Sequence, residues 1–254
     1  MRALLTITDL TRMQGERVCI AGYLPDRTCV RPVLPAGIPE TWLRVAAPGL
    51  TRWWRPARLV RPFVAVEVDL NRQVPDPPHC EDWQIAPHYQ RAPYDALAPE
   101  RREDLLRSLD DGCVAAIFGT PIEKGPGWYV FAGTGTRSLG TVMPRSVERV
   151  GFAAKGADKW DYRITFTDGM GCRYTLAVTD LAFRHYLTHL ATYEGRPTDE
   201  CAAELTAVLQ ATRVYLRIGL TRGWERYPDR CFLQITGVYS FPDYLGGRCH
   251  ADFP

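Results

Sequence analysis

The sequence predicts a mainly β protein with a few helices, of the α+β class, in which two halves follow the same plan. Apolar and polar residues alternate with period two in many short runs, as strands with one buried face require. The chain contains 20 prolines and 21 glycines, and this abundance favours frequent turns over long helices. In each half, short strands come first, a helical segment follows, and further strands complete the half.

The first half, residues 1–144, is expected to hold strands around one helix. Val64, Val66 and Val68 alternate with other residues, which is typical of a strand. Pro99 suits the first turn of a helix, and leucines follow it at helical spacing. In chain order, the predicted elements are strands at 2–8, 17–22 and 28–33, a helical turn near Trp42, a strand at 58–70, an irregular segment at 74–99, a helix at 99–109, and strands at 113–118, 128–131 and 136–142.

The second half, residues 145–254, is expected to repeat this plan. Asp168 and Gly169 separate two alternating runs and favour a hairpin turn, while Thr179 and Thr198 suit helix caps. In chain order, the predicted elements are strands at 146–154, 162–166 and 172–178, a helix ending at Leu190, a helix beginning at Thr198, and strands at 213–222 and 231–240. Strands, helix, strands is the element order of a five-stranded oligonucleotide-binding (OB) barrel. The sequence therefore predicts two tandem OB-like barrels divided between residues 144 and 145.

The last two predicted strands form a hairpin that carries a functional pattern. Every second residue from Val214 to Leu220 is apolar and is assigned to the core. Arg213, Tyr215 and Arg217 share the opposite face, which we expect to point outward. A cation beside an aromatic ring can pair with a phosphate while the ring stacks on a base. The alternative is an ordinary solvated face of an antiparallel sheet.

Charge and cysteine content limit the classes of function. The formal net charge is +2, so contact with nucleic acid must come from local clusters of arginine rather than from a basic tail. Eight cysteines occur without a CxxC pair, and we expect them to be reduced thiols. The first residues do not resemble a secretory signal, and no apolar run approaches the ~18 residues of a membrane span. The sequence therefore predicts a cytoplasmic protein with no membrane partner.

Two histidines and a glycine-rich stretch are candidate sites of chemistry. His185 and His189 are four residues apart on a predicted helix, a spacing that zinc enzymes use, and Glu194 is a conceivable third ligand. Those enzymes have a glutamate after the first histidine, whereas Tyr186 stands here. We therefore expect the histidines to face solvent or the sheet, and we predict no metal or other cofactor. The stretch 133–140 lacks the Lys-Ser/Thr ending of a phosphate loop, so it is interpreted as a turn.

Five different short motifs are spread over most of the chain. They are Gly-Glu-Arg-Val-Cys-Ile-Ala-Gly at 15–22, Cys-Val-Arg-Pro-Val at 29–33, Pro-Pro-His-Cys-Glu-Asp-Trp at 77–83, Ile-Gly-Leu-Thr-Arg at 218–222, and the segment 234–245. Together they resemble the dual-OB family, a bacterial group with two tandem OB folds. One departure is Cys29, because the family pattern leads us to expect a tryptophan two residues before Arg31. The resemblance implies nucleic-acid binding, often in systems that counter phages or mobile elements, and no defined reaction.

The predicted binding site is a set of basic and aromatic residues that interleave along the strands. A base stacked on such a ring contributes about 1–3 kcal/mol, and arginines add a salt-dependent attraction. The predicted nucleic-acid-binding residues are Arg31, Lys159, Trp160, Tyr162, Arg173, Arg213, Tyr215, Arg217, Arg222 and Trp224. Trp53 and Trp54 lie in a further basic and aromatic run, and their rings either stack on bases or form a docking surface for another protein.

From these patterns we expect a non-catalytic nucleic-acid-binding protein, an accessory or sensor component of a bacterial defence or nucleic-acid-processing complex. The expected partners are single-stranded or structured nucleic acid and a larger protein complex with a nuclease or helicase. One alternative is a protein–protein adaptor that uses the same barrels, with Trp224 and the 239–245 tail among its contacts. A metal-dependent hydrolase or nuclease is a further alternative.

Overall fold

The structure is a computed structural model that describes residues 1–45, 58–86, 92–156 and 159–253. It divides into two compact units. The first comprises Met1–Asp76 and Cys80–Arg102, and the second comprises Pro77–His79 and the chain from Glu103 onward. The boundary between the units lies inside helix α1 (Pro99–Ser108) rather than at the predicted position between residues 144 and 145. The reason is that strands located before residue 144 pair with the last two strands of the chain.

The first unit contains a closed five-stranded barrel. The strands of the whole unit are β1 (Arg2–Arg12), β2 (Arg17–Tyr23), β3 (Cys29–Val33), β4 (Ile38–Pro39), β5 (Arg44–Val45), β6 (Arg58–Leu59), β7 (Val64–Gln73), β8 (Asp82–Ile85) and β9 (Ala92–Ala96), with a 3-10 helix at Glu40–Leu43. The barrel strands pair in the order β1–β2–β3–β8–β7, and β7 returns to pair with β1. Strands β3 and β8 run parallel, and the other pairs in this ring run antiparallel.

Strand β1 closes this barrel because it is long enough to pair with two neighbours. Its first part pairs with β7 and its second part with β2, and a bulge between Ile7 and Asp9 bends the strand between them. Gly22 on β2 permits a close approach, since a Cβ there would lie 2.1 Å from the carbonyl oxygen of Thr6. Fully buried aliphatic side chains fill the unit, among them Leu5, Ile7, Ile20, Val30, Val66 and Val68.

The second unit is a curled sheet that forms a half-barrel and carries two helices. Its elements are β10 (Glu123–Lys124), β11 (Trp128–Phe131), β12 (Leu139–Val142), β13 (Ser146–Ala154), β14 (Trp160–Thr167), β15 (Arg173–Val178), α2 (Leu181–Thr192), α3 (Thr198–Gln210), β16 (Arg213–Leu220) and β17 (Arg230–Phe241), with 3-10 helices at Val114–Ala116 and His250–Asp252. The sheet order is β10–β11–β17–β15–β14–β13, while β16 pairs with β17 and with β12. Among the described residues, β13 and β16 do not pair, so the sheet stays open between them.

Helices α2 and α3 connect β15 to β16 and pack on the sheet. The carboxylate of Asp180 accepts a hydrogen bond from the backbone N–H of Phe183 at 3.0 Å and another from Val238 at 2.8 Å. One side chain therefore caps α2 and ties it to β17. Helix α3 packs along β13, where the hydroxyl of Thr206 accepts a hydrogen bond from the backbone N–H of Val150 at 2.9 Å.

The predicted fold class is confirmed, because the protein is mostly β and contains a closed barrel and a half-barrel of OB type. The expected strand at 113–118 is wrong, since Val114–Ala116 form a 3-10 helix. Val114, Ile117 and Phe118 are buried there, and their spacing of three and four residues is helical rather than alternating. Strands β8 and β9 lie in a stretch that was predicted to be irregular. In the part of the chain that the structure describes, no helix combines the length and apolar character that crossing a membrane requires.

Candidate nucleic-acid interface

The hairpin of β16 and β17 does not present the face that the sequence predicts. Arg217 is 0 % exposed and Tyr215 is 1 % exposed, so the expectation that they point outward is wrong. Both edges of β16 are paired, with β12 on one side and β17 on the other. The guanidinium of Arg217 donates a hydrogen bond to the hydroxyl of Thr141 on β12 at 2.8 Å. Neither side chain can reach a nucleic acid in this structure.

Arg213, at the start of β16, is exposed but its charge is neutralised. Its Nε and Nη2 donate to the two carboxylate oxygens of Glu103 on α1, at 2.7 and 2.9 Å. These bonds, led by the one from Arg213, hold the pKa of Glu103 below its ordinary value. Glu103 also accepts a hydrogen bond from Arg107, which is itself hydrogen-bonded to the side chain of Tyr215. The carboxyl-terminal half of α1 therefore covers the side of β16 that was expected to be free.

Tyr162 and Arg31 are buried as well, so their predicted roles in binding are also corrected. The hydroxyl of Tyr162 lies 2.5 Å from that of Thr188 on α2, and burial raises the pKa of Tyr162. Arg31 belongs to the first unit, where its Nε donates to the carboxylate of Asp82 at 2.6 Å. Trp53 and Trp54 lie outside the described residues.

The outer face of β14 and β15 is where OB folds contact oligonucleotides, and here its charges are paired. Arg163 forms an ion pair with Asp161, and Arg173 forms one with Glu148, each at 2.7 Å. Arg173 is exposed, yet its hydrogen bond is the main cause that lowers the pKa of Glu148. This face therefore offers an anion little unneutralised charge.

Lys159 and Trp160 lie where β13 connects to β14. The loop between the first two strands of an OB fold occupies this position, and it contacts ligands. Lys159 is exposed. Trp160 is half-buried, and its ring centroid lies 4.9 Å from that of Phe152 in the core. The predicted stacking role of Trp160 is thus limited to the part of the ring that the core leaves open.

The loop between β16 and β17 holds the exposed residues Arg222 and Trp224. It occupies the position of the loop between strands four and five of an OB fold, which contacts ligands. Trp224 and Tyr227 exchange backbone hydrogen bonds of 2.7 and 3.3 Å, which close a tight turn. Gly223 is required beside this turn, because a Cβ there would lie 2.1 Å from the carbonyl oxygen of Pro228. In this turn, Trp224 is 52 % exposed to solvent.

Trp224 is part of a larger group of side chains that we call the aromatic surface. Its members are Tyr129, Phe131, Trp224, Tyr227 and Phe232, together with the cations Arg226 and Arg230. Tyr129 on β11 pairs in register with Phe232 on β17, and their ring centroids are 5.7 Å apart. These two rings therefore lie on the same face of the sheet, next to the point where the Trp224 loop enters β17.

Rings and a cation form a continuous run across this surface. The guanidinium of Arg230 lies 4.8 Å from the ring centroid of Tyr129 and 4.9 Å from that of Tyr227. Trp224 meets Tyr227 edge to face at 5.6 Å, and Phe131 meets Tyr129 in the same way at 5.4 Å. The two ends of the run are open to solvent, because Trp224 is 52 % exposed and Phe131 is 43 % exposed.

The two arginines of the aromatic surface have little or no pairing with carboxylates among the described residues. The carboxylate of Asp229 lies 4.0 Å from Nε of Arg230, at the outer limit of an ion pair. Arg226 lies over the ring of Tyr227 at 5.3 Å, and it forms no ion pair with any described residue. This distinguishes both from Arg173 and the other arginines that are paired with carboxylates. The surface can therefore attract an anion and stack a planar ring at the same place.

Most of this surface was missed in the sequence analysis, which named only Trp224 among its members. The available clue was the run Trp-Tyr-Val-Phe at 128–131, in which Tyr129 and Phe131 are two residues apart and share one face of a strand. The pairing of β11 with β17 could not be foreseen, because it joins segments that are far apart in the chain.

The histidines considered as metal ligands do not converge. Nδ1 of His185 lies 3.1 Å from the carbonyl oxygen of His250, whereas Nε2 of His189 lies 3.5 Å from the carboxylate of Glu194. Within the described ranges, no group of three or more His, Cys, Asp or Glu side chains is arranged to hold a metal ion. The glycine-rich stretch 133–140 is held by hydrogen bonds within the protein, because Arg137 donates to backbone oxygens of Ala116 and Ile117 in the preceding 3-10 turn.

Two OB-type sheets, one of them with an exposed aromatic and cationic surface, place this protein in the OB class, whose members bind oligonucleotides and oligosaccharides. The family comparison agrees with the fold, because the model of the dual OB-containing domain matches residues 7–238. The chain therefore belongs to the dual OB-containing domain family, as the motif resemblance indicated. A comparison with curated proteins found no matching relative.

Proposed function

We propose that the protein binds single-stranded nucleic acid on the aromatic surface of its second unit. The observation that carries the proposal is the run from Trp224 to Phe131, in which Arg230 lies between the rings of Tyr129 and Tyr227. Proteins that bind single strands combine aromatic rings, on which bases stack, with cations that contact the phosphates. Both components are present here within one patch of side chains.

The two ends of the run have different expected roles from its middle. The rings of Tyr129 and Tyr227 already face the guanidinium of Arg230, so they act mainly as its support. Trp224 and Phe131 are exposed and are the rings on which bases would stack. Stacking on each contributes about 1–3 kcal/mol and tolerates any base. We therefore expect binding with little dependence on base identity.

Single-stranded nucleic acid is favoured over a duplex for a physical reason. Bases in a duplex are already stacked and paired, so exposed rings gain stacking only with bases that are free. With a formal net charge of +2, the protein has little general attraction for a polyanion. Its affinity therefore depends on the local cations Arg226 and Arg230 and falls as salt increases.

The proposal is tested by fluorescence-anisotropy titration of the full chain with four labelled ligands of equal length: single-stranded DNA, single-stranded RNA, and the corresponding duplexes. The expected result at low salt is saturable binding of a single strand that is tighter than binding of either duplex. Absence of binding to all four ligands, or a preference for duplexes, would overturn the proposal.

We further propose that the protein is non-catalytic and acts as an accessory or sensor component of a bacterial defence or nucleic-acid-processing complex. The resemblance to the dual-OB family motivates this role. Purification of the protein from its source cell, with and without nuclease treatment, tests it. A nuclease or helicase that is lost on treatment supports a nucleic-acid bridge. A partner that persists favours the adaptor alternative, in which exposed Trp224 contacts protein.

A further inference from the structure

A pocket of about 250 Å³ opens in the second unit on the side where its sheet is not closed. Two short segments line it. Residues 143–147 connect β12 to β13, and residues 209–214 connect α3 to β16. These are the places where a closed OB barrel would join its first and fourth strands. The open seam of the half-barrel thus leaves a cavity that the proposed nucleic-acid surface does not use.

The pocket has an apolar part that belongs to the core. Val147, Leu209 and Val214 are buried residues of β13, α3 and β16, and each contributes to the lining. Met143 adds a flexible thioether and is itself exposed. The exposed side chain of Met143 favours a ligand with a compact apolar body, because contact removes its apolar atoms from water.

Some polar side chains of the pocket lining already have hydrogen-bond or ion-pair partners within the described part of the protein, and others do not. Gln210 donates to backbone oxygens of β13 at 3.1 and 3.2 Å, and Thr212 donates to a backbone oxygen of α3 at 2.9 Å. Arg213 is held by Glu103. Among the described residues, by contrast, Arg145 has no ion pair and the hydroxyl of Ser146 has no hydrogen bond. The lining therefore offers one cation and one adjacent hydroxyl to a ligand.

We propose that this pocket binds a small organic anion. Its apolar body would contact Met143, and its single carboxylate or phosphate would pair with Arg145 and Ser146. The volume lies just below the ~300–1,000 Å³ of sites for drug-sized ligands, which limits the body to about one ring or a short chain. This site is independent of the aromatic surface, so the two proposals can fail separately.

The four methionines give a local readout, because Met143 is the methionine that lines the pocket. The full chain labelled with ¹³C-methyl methionine is titrated with phenyl phosphate and with benzoate, which distinguish a phosphate from a carboxylate head. Inorganic phosphate and phenol supply the head and the ring alone. Met143→Leu assigns the resonance. We expect the Met143 signal to shift saturably with phenyl phosphate or benzoate, while Met13 and Met170 stay in place.

Arg145→Gln tests whether the positive charge of Arg145 contributes to binding. Arg149→Gln is the matched control, because Arg149 is an exposed arginine on β13. We expect Arg145→Gln to weaken binding about tenfold or more, because hydrogen bonds to charged groups are among the strongest. Arg149→Gln should leave the affinity unchanged, and unshifted Met13 and Met170 signals report an intact fold. The proposal is overturned if Met143 does not respond, if phenol binds as well as phenyl phosphate, or if Arg145→Gln binds like the parent protein.

Discussion

Replacement of Trp224 by alanine is the most direct perturbation of the aromatic surface. Its ring is 52 % exposed and touches Tyr227 edge to face at 5.6 Å, so the core does not depend on it. We expect the free energy of unfolding to change by less than about 0.5 kcal/mol, as for other surface substitutions. The backbone turn at this position is held by main-chain hydrogen bonds, which alanine preserves.

Loss of the Trp224 ring removes one stacking platform. A stacked base contributes about 1–3 kcal/mol, which corresponds to a loss of affinity of roughly fivefold to more than a hundredfold. The assay is anisotropy titration with an oligothymidine of roughly 12 nucleotides, within the ~4–16 that one OB fold covers. The dependence on salt should not change, because no phosphate contact is lost. Arg226→Gln should instead lower the slope of log K against log salt by about 0.7.

Tyr193→Ala is the matched control for Trp224→Ala. Tyr193 is 63 % exposed at the end of α2, and its ring stacks only on His189 among the described rings. Its removal should leave oligonucleotide affinity unchanged. Equal effects of the two substitutions, or an unchanged affinity of Trp224→Ala, would show that the ring does not stack on a base and would refute the assignment of the surface.

Three further predictions concern the buried ion pair of the first unit, the turn beside Trp224, and the ion pair between Arg213 and Glu103. Asp82→Asn removes the carboxylate that pairs with buried Arg31, so urea titration should show a loss of about 3–5 kcal/mol in the first unit; a loss below 1 kcal/mol argues against a buried ion pair. Gly223→Ala forces the loop away from Pro228, and anisotropy should show weaker oligonucleotide binding with an unchanged melting temperature; unchanged binding contradicts the need for this turn. The pKa of Glu103 is lower in the folded state, so its contribution is present above its ordinary value of 4.5 and is lost as the pH falls through the folded-state value. The stability difference between the parent protein and Glu103→Gln should therefore shrink on acidification, and a difference that stays constant with pH rules this out.

Much of the fold could be predicted because strand alternation and helix caps are local properties. The strands around Asp168 and the helix that follows Asp180 depend on residues close in the chain. The turn at Val114–Ala116 was mistaken for a strand because a short apolar run lacks a clear period. Burial by distant elements is not a local property, so alternation could not show that α1 and β12 cover Tyr215 and Arg217.

The candidate site could be predicted only in part for the same reason. Arg222 and Trp224 lie in a loop with turn-forming residues, and exposed loops are recognisable in a sequence. Whether an arginine keeps its charge depends on carboxylates brought near by folding. Arg213 and Arg173 resemble Arg226 in sequence, yet the first two are paired with glutamates, whereas Arg226 pairs with no carboxylate in the part of the chain that the structure describes.

Photocrosslinking locates the bound strand without any substitution. The full chain is irradiated with single-stranded DNA that carries 5-iodouracil, digested with trypsin and analysed by mass spectrometry. Stacking on the aromatic surface predicts adducts in the tryptic peptides Gly125–Arg137, Gly223–Arg226 or Tyr227–Arg230. Adducts confined to the first unit, or to peptides of the second unit that lack these aromatic side chains, would contradict it.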